Sequence, residues 1–341
     1  MRELKRLVIN EPGLFVGTRK GMIIVQRKGE KVLEVSPLNV SQIVILTRGA
    51  AISSALIRLL ARHKVDLIVY SGLGYPVAKL SSPKTSGSIK LRKEQYKAQD
   101  SPLGAYLAKR FAWAKVVNQK AILREAGRNR SDADLSRRLI EMSRSISNIA
   151  AMISNVEGDS ASSVRSEVMR LEAKAAEIYW QGFRLLLPEG LDFPGRRKRF
   201  EFPEDPVNIM LNFCYSLLAS EVWLAVEASG LDPFAGFLHA DSSRRPALVM
   251  DILEEFRQPV ADRVVLRLAS SIKDPKSIIE GRKLKREFRF QVVKAFSGRL
   301  SEILTFRGRS LPLSSHIFLQ PKRVADFILG RESSYMPFTL R

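Results

Sequence analysis

Short apolar runs broken by glycines dominate the first 80 residues, a pattern typical of successive β-hairpins. The segment LFVGTRKGMIIVQRKGEKVLEVSP is interrupted at Gly17, Gly21 and Gly29, and SQIVIL and VDLIVY add two short apolar strands. Between these two runs, AISSALIRLLARHK places apolar residues at helical spacing. The pattern therefore predicts a compact β-rich domain with one helix over residues 1–80.

The periodicity changes after residues 81–88, whose sequence SSPKTSGS is small, polar and aperiodic, as in a linker. Beyond the linker, apolar residues recur with a period of 3.6 over residues 93–127, 132–154, 160–187, 206–229, 246–270 and 283–305. We therefore predict an α+β protein, in which a small β-rich N-terminal domain is followed by a larger all-helical domain over residues 89–341.

The net charge of the chain limits the classes of partner that it is expected to bind. Its 341 residues include 56 Lys and Arg against 35 Asp and Glu, a formal net charge of +21 at pH 7. This excess favours a polyanion, because each neutralised phosphate releases a counterion, although ribosomal, membrane-surface and thermophilic proteins are also basic. No uninterrupted apolar run approaches the roughly 18 residues that span a membrane. The start MRELKRLVINEPG lacks the apolar segment of a signal peptide, so we expect a cytoplasmic protein. The excess of basic residues makes nucleic acid its expected partner.

Two basic clusters are the candidate DNA contacts. One, GRRKRF, lies in a loop bounded by Gly and Pro; the other, RKLKREFRF, places its basic residues along one stripe of a predicted helix. Either cluster alone could be a solvated face, but two of them in one basic domain favour a phosphate-binding surface. The predicted DNA-binding residues are Arg196, Arg197, Lys198, Arg199, Arg282, Lys285, Arg286 and Arg289.

A histidine followed by several acids marks a candidate metal site in FLHADSSRRPALVMDILEEFRQ. His239 lies in a loop, and Asp251, Glu254 and Glu255 share one side of a helix predicted to begin near Pro246. Like charges on one side of a helix repel one another unless a cation intervenes, which favours a metal or a basic partner. The alternative is an exposed acidic face balanced by neighbouring arginines. Since the chain has a single cysteine, a metal here would use carboxylates and histidine.

A second acidic candidate lies in VMRLEAKAAEIYWQGF. Here Glu172 is followed by alanines, which leave room for a ligand or for close packing of another helix. Glu167 and Glu177 lie in the same segment, and spacing alone does not select Glu172 over them.

Taken together, these segments resemble the CRISPR-associated protein one family, the integrases and endonucleases of spacer acquisition. In the first domain the resemblance rests on PLNVSQIVIL and AISSALIRLLARHKVDLIVYSGLGYPVAKL. In the second it rests on LEAKAAEIYW, DPVNIMLNFCYSLL, GLDPFAGFLH, ALVMDILEEFR and YMPFTLR. Each segment is moderately specific, whereas their order and separation along nearly the whole chain are highly specific.

The resemblance implies a homodimer formed through the β-rich domain, a helical catalytic domain that holds a divalent ion, and a complex with the small ferredoxin-like CRISPR-associated protein two. The metal-binding and catalytic residues of the family fall on Glu172, His239 and Glu254. Asp251 matches a further family acid, and whether it also ligates the ion stays open, while Glu255 is expected to be a surface residue. Asn208 and Tyr215 fall on family motif positions too, although a buried helical setting suits packing equally.

One imidazole and two carboxylates form a hard ligand set that suits Mg²⁺ or Mn²⁺ and leaves coordination positions for water and phosphate oxygens. The implied reaction inserts short duplex DNA into the CRISPR array by attack of a 3′-hydroxyl on a phosphodiester, and attack by water gives strand cleavage. Two alternatives stay open. One is a structure-selective nuclease that acts on branched DNA in repair, and the other is a non-catalytic basic DNA-binding scaffold.

If the basic residues contact phosphates, the affinity for duplex DNA should fall with salt at a log–log slope of about −0.9 per neutralised phosphate. Replacing Lys285, Arg286 and Arg289 by glutamine should then make the slope shallower by about 0.9 for each phosphate that is no longer neutralised. Fluorescence anisotropy of a labelled duplex at increasing salt measures this slope. An unchanged slope would remove the three residues from the interface.

Overall fold

The structure, a computed structural model, describes residues 5–70, 76–80, 89–197, 201, 203–242 and 245–340. The chain forms two compact units: Met1–Thr85 with Ile278–Gln291, and Ser86–Ser277 with Val292–Arg341. The sequence pattern placed residues 278–291 in the helical domain, whereas they belong to the first unit. The predicted linker over residues 81–88, together with Lys198 and Arg199, lies outside the described residues.

The first unit contains two four-stranded sheets. Its strands are β1 (Lys5–Ile9), β2 (Leu14–Arg19), β3 (Met22–Arg27), β4 (Glu30–Val35), β5 (Val40–Ile45), β6 (Ala51–Ile52), β7 (Asp66–Tyr70) and β8 (Pro76–Leu80). One sheet has the order β4-β3-β2-β6 and is antiparallel except for the pairing of β2 with β6. The other has the order β1-β5-β7-β8, in which β1, β5 and β7 are parallel. The β-rich prediction is therefore confirmed.

Glycine turns and one capped helix explain this arrangement. Gly21 and Gly29 have φ angles of 76° and 87° in the tight turns of the two hairpins, a conformation that glycine adopts without strain. Helix α1 (Ser54–His63) begins where the Ser53 hydroxyl accepts the N–H of Leu56 at 3.1 Å. Its buried leucines share a hydrophobic core with residues of both sheets.

The second unit is mostly helical. Its helices are α2 (Ile89–Gln99), α3 (Pro102–Arg128), α4 (Ala133–Ser154), α5 (Ala161–Leu186), α6 (Pro206–Ser229), α7 (Ala247–Leu253), α8 (Arg263–Ala269), α9 (Pro275–Ile278), α10 (Arg286–Ser301) and α11 (Leu313–Ile328), of which α9 and α10 continue into residues of the first unit. Helix α3 packs against α4 and α5, and α6 packs against α11. These contacts bury the apolar stripes that the periodicity predicts.

The second unit is mostly helical, as predicted, and it also contains a short β-hairpin. Residues 303–312 form an antiparallel hairpin of β11 (Ile303–Phe306) and β12 (Arg309–Pro312), with Arg307 and Gly308 at positive φ in its turn. Another short antiparallel pair, β9 (Ile279–Glu280) with β10 (Lys283–Leu284), precedes α10. Glycine turns override helical periodicity at both places.

Those turns also overturn one prediction about the basic stripe. Arg282 lies in the turn between β9 and β10, Lys285 precedes the helix, and α10 begins at Arg286. Only Arg286 and Arg289 of the four lie on one helix, so the continuous helical stripe is not formed. Arg282, Lys285 and Arg286 are exposed, and Arg289 is half-buried.

Helix α6 lies in the core. Among the described residues it is the one helix whose length and apolar composition would suffice to cross a membrane. However, 67% of its most apolar window is buried inside the protein, where it contacts α7, α8 and α11. This is how a core helix of a globular domain packs.

Helices α3 and α5 approach each other closely at a glycine. A Cβ atom on Gly182 of α5 would lie only 2.7 Å from the Leu123 side chain of α3, so a larger residue would push the two helices apart. This close packing holds the polar residues of α3 beside those of α5.

The C-terminal segment closes over a buried acid. Glu255, which the helical pattern treated as a surface residue, is 0% exposed. It accepts hydrogen bonds from the Tyr335 hydroxyl, from the N–H of Phe338 at 2.7 Å and from the Gln320 amide at 2.6 Å. Burial raises the pKa of Glu255 to about 7, while these donors act in the opposite direction. The surface prediction is wrong because α7 ends at Leu253, so Glu255 no longer follows its periodicity.

Tyr335→Phe should lower the free energy of unfolding by about 1–3 kcal/mol, because it leaves the buried Glu255 carboxylate with one donor fewer. Tyr96→Phe is the matched control, since Tyr96 is 47% exposed and its hydroxyl bonds to Asp232 at 2.9 Å. This control should cost less than about 0.5 kcal/mol. Urea unfolding of both variants measures the difference, and equal losses would show that the contact to Glu255 contributes little.

Candidate metal centre

Asp251 holds His239 and the loop that carries it. The Asp251 carboxylate accepts the backbone N–H groups of Phe237 at 2.6 Å, Leu238 at 3.0 Å and His239 at 2.9 Å. It also lies 2.7 Å from the His239 ring Nδ1. A carboxylate partner favours the tautomer in which Nδ1 carries the proton, which leaves Nε2 as the nitrogen with a lone pair. Asp251 is 0% exposed, and both of its carboxylate oxygens accept hydrogen bonds from this loop. These contacts are those expected of a residue that positions the histidine.

Side chains from two helices hold the rest of this loop. Gln95 of α2 donates to the carbonyls of Asp232 at 3.0 Å and Ala235 at 2.7 Å, and accepts the Asp232 N–H at 2.8 Å. Arg165 of α5 donates to the Leu238 and Phe237 carbonyls at 3.0 and 3.2 Å. The loop is therefore irregular in backbone but satisfied in its hydrogen bonds.

A close glycine contact lets the loop lie against α7. A Cβ atom on Gly236 would approach Ala247 Cβ to 2.6 Å, so only glycine fits at this position. Gln99 of α2 also binds this segment, since its side-chain amide donates a hydrogen bond to the Gly236 carbonyl at 2.6 Å.

Lys115 of α3 joins the two predicted glutamates. Its Nζ lies 2.5 Å from Oε1 of Glu172 on α5 and 2.9 Å from Oε2 of Glu254, which directly follows α7. Arg257 Nε lies 3.0 Å from the same Glu254 oxygen. The Glu254 side chain is 4% exposed, while those of Lys115 and Glu172 are 15% and 18% exposed. Two carboxylates and two cations therefore share one largely buried cluster.

The charges in this cluster stabilise one another. Burial raises the pKa of Glu254, but Arg257 and Lys115 outweigh it and lower that pKa to about 2. Burial lowers the pKa of Lys115, whereas Glu172 and Glu254 raise it above its usual range. His239 acts on the pKa of Glu254 in the same lowering direction. Glu254 is thus ionised at neutral pH, as a metal ligand must be.

The three predicted ligands do not yet form a coordination sphere. Among the residues that the structure describes, no group of three or more His, Cys, Asp or Glu side chains is placed to hold a metal ion. The Lys115 ammonium instead contacts both glutamates. One observation does fit a divalent ion: the buried Oε2 of Glu254 has cations near it but no hydrogen bond of regular geometry.

Tyr215 and Asn208 serve the packing of this region. The Tyr215 hydroxyl donates to Asp262 at 2.6 Å, and the guanidinium groups of Arg196 and Arg257 lie 5.2 and 4.7 Å from its ring centroid. Asn208 accepts from Arg196 at 3.0 Å and from the Arg197 N–H at 2.8 Å. Arg196 is therefore tied into the fold, while Arg197 is exposed.

Sequence patterns missed four residues that shape the site: Lys115, Gln95, Gln99 and Arg165. All four lie on helices distant in sequence from His239, and no motif marks them. The signal available in the sequence was a polar residue within an otherwise apolar stripe, namely Lys115 on α3 and Gln95 on α2.

The chain matches a known protein family along most of its length. The family profile described as CRISPR associated protein Cas1 matches residues 7–297. The CRISPR-associated endonuclease Cas1 1 of Archaeoglobus fulgidus is 37% identical over 335 residues, which cover 95% of this chain and 96% of that protein. The CRISPR-associated endonuclease Cas1 of Korarchaeum cryptofilum is 33% identical, with 97% of each chain covered. The chain therefore belongs to the Cas1 family, as its sequence motifs implied.

Solved structures share the fold. A casposase bound to integration product superposes with a TM-score of 0.84 at 24% identity, covering 99% of this chain and 95% of that one. A CAS1 protein from Thermotoga maritima gives a TM-score of 0.74 at 19% identity, covering 97% and 99%. At these identities the likeness concerns architecture, and it confirms the α+β fold class.

Asp251→Asn should lower the free energy of unfolding by about 2–4 kcal/mol, because the new amide group would face backbone N–H donors in a buried setting. Asp241→Asn is the control in the same loop. Asp241 accepts the Gly236 N–H at 3.0 Å but is exposed, so its loss should stay below about 1 kcal/mol. Urea unfolding compares the two, and a cost for Asp251→Asn no larger than the control would contradict its structural role.

Proposed function

We propose that this chain is a metal-dependent DNA endonuclease and integrase of CRISPR adaptation. Its relatives are named CRISPR-associated endonucleases. It would insert short duplex DNA, the spacers, into the CRISPR array. The observations that carry the proposal are that Glu172 and Glu254 contact one cation, Lys115, and that Asp251 fixes the Nδ1 atom of His239. The formal net charge of +21 supports DNA as the substrate.

Glu172, His239 and Glu254 would hold Mg²⁺ or Mn²⁺. Asp251 would act through His239, since its oxygens already accept the loop N–H groups and the ring nitrogen. When bound, such an ion supplies Lewis-acid stabilisation of the charge that develops on the phosphate. Two carboxylates and one imidazole are the donor types that suit it.

The residues of this chain support the reaction through position and charge. Asp251 keeps the imidazole in one orientation, and Arg257 keeps the Glu254 carboxylate ionised within a buried setting. In strand transfer, a bond forms between phosphorus and the incoming 3′-oxygen while the bond to the leaving oxygen breaks, so the phosphodiester count is conserved. In hydrolysis, water replaces the 3′-hydroxyl and supplies the oxygen.

The partners follow from the same proposal. We place the chain in the cytoplasm as a homodimer formed through its β-rich unit, in complex with a small ferredoxin-like CRISPR-associated protein two. One solved structure with the same fold is a Cas6-RT-Cas1–Cas2 complex, with a TM-score of 0.80 at 19% identity over 100% of this chain and 37% of that one. That assembly supports such a partnership by analogy of fold.

Glu172→Gln and His239→Ala should each reduce integration by at least about a hundredfold, because loss of a metal ligand removes several kcal/mol of transition-state stabilisation. The assay joins a labelled duplex with free 3′ ends to a target that contains a CRISPR repeat, with Mg²⁺ or Mn²⁺ present. Glu177→Gln, on the exposed side of the same helix, is the control and should keep full activity.

The same assay separates the alternatives. A structure-selective repair nuclease would cut branched DNA in a Glu172-dependent way without transferring a 3′ end. A non-catalytic scaffold would bind DNA in all variants and yield neither product. Undiminished integration in Glu172→Gln and His239→Ala would refute the assigned site.

A further inference from the structure

Lys115 occupies the position that the proposed ion would need. Its ammonium lies within 3 Å of one oxygen of each glutamate, at 2.5 Å from Glu172 and 2.9 Å from Glu254. Lys115 lies on α3 and Glu172 on α5, two helices that pack against each other. An ammonium and a divalent ion cannot share one gap between two carboxylates, because both are cations seeking the same oxygens.

The charge balance of the cluster explains why the lysine is there. Glu172 and Glu254 carry two negative charges, and Lys115 with Arg257 carries two positive charges in contact with them. Buried carboxylates without such compensation would pay a desolvation penalty that their surroundings do not offset. The cluster is therefore balanced in charge. A divalent ion would give it a surplus unless one cation leaves.

The lysine is the cation that can leave. The side chains of Lys115 and Arg257 are equally exposed, at 15%, but Lys115 ends in a compact, flexible ammonium that displacement would return to solvent. Arg257 is held more firmly, since its guanidinium also lies against the Tyr215 ring.

We propose that Lys115 is an internal counter-ion that occupies the metal position between Glu172 and Glu254 and is displaced when a divalent ion binds, thereby setting the affinity of the site for that ion. This inference rests on the proposed function, because it takes those glutamates as the metal ligands. It assigns Lys115 a role in loading the site rather than in contacting DNA.

Titration with Mn²⁺ alone, followed by the electron paramagnetic resonance signal of the free ion, tests the proposal on the full chain without DNA. Lys115→Met should bind Mn²⁺ at least about tenfold more tightly than the unchanged protein, because the ion no longer competes with a cation. Lys115→Arg keeps the charge and should not gain affinity. Lys109→Met is the matched control on the same helix, since the Lys109 ammonium bonds to the Val156 carbonyl at 2.8 Å, and it should bind as the unchanged protein does.

Thermal unfolding gives a second readout that does not depend on affinity alone. Without metal, Lys115→Met should melt earlier than Lys109→Met, because Glu172 and Glu254 both lose the ammonium and only the contact of Arg257 with Glu254 remains. Mn²⁺ should restore the lost stability, so the rise in melting temperature on adding the ion should be larger in Lys115→Met. Should that variant fold only with Mn²⁺ present, the same conclusion follows. If it folds in neither condition, Lys115→Gln decides by the same titration.

Failure of this inference can be told apart from failure of the proposed function. If Glu172→Gln and the unchanged protein bind Mn²⁺ equally, the ion does not use Glu172 and the proposed metal site is wrong. If Glu172→Gln loses Mn²⁺ while Lys115→Met and the unchanged protein bind it equally well, the ligands stand and the role of Lys115 is refuted. Weaker binding by Lys115→Met refutes it as well.

Discussion

The structure of the second unit depends on neutralising carboxylates where they are buried. Within residues 251–262 the chain carries four fully or nearly buried acids: Asp251, Glu254, Glu255 and Asp262. Asp251 accepts hydrogen bonds from loop N–H groups, and Glu254 contacts cationic side chains. Glu255 accepts hydrogen bonds from the C-terminal segment, and Asp262 accepts them from two tyrosine hydroxyls. A buried acid with no partner would cost several kcal/mol, so each of these contacts also constrains where its element lies.

The same constraint fixes the short loop that carries His239. The backbone from Gly230 to His239 has no regular secondary structure that would fix it. Asp251 from α7, Gln95 and Gln99 from α2, and Arg165 from α5 supply the missing hydrogen bonds. His239 is therefore placed by three helices at once. A loop held in this way can present a ligand with the accuracy that catalysis needs.

Local pattern predicted much of the fold and only part of the site. The hairpins over β2–β4, helix α1 and the long helices α3 to α6 follow from glycine turns and apolar periodicity. The family motifs supplied Glu172, His239 and Glu254. Periodicity then failed at residues 254–262, where α7 stops and a π-helical turn over Arg257–Asp262 follows. Glu254 and Glu255, placed on one side by the pattern, consequently lie in different environments.

By itself the sequence determined the alternation of strands and helices, the basic balance and the family, because these depend on residues that are near one another or on their sum. Only the tertiary structure decided that Lys115 lies between Glu172 and Glu254, that Asp251 is committed to the His239 loop, and that Glu255 is covered by the C-terminal segment. The physical reason is that neutralisation of buried charge acts through space. A cation on α3 can satisfy acids on α5 and after α7 whatever their distance along the chain, and no local pattern records that pairing.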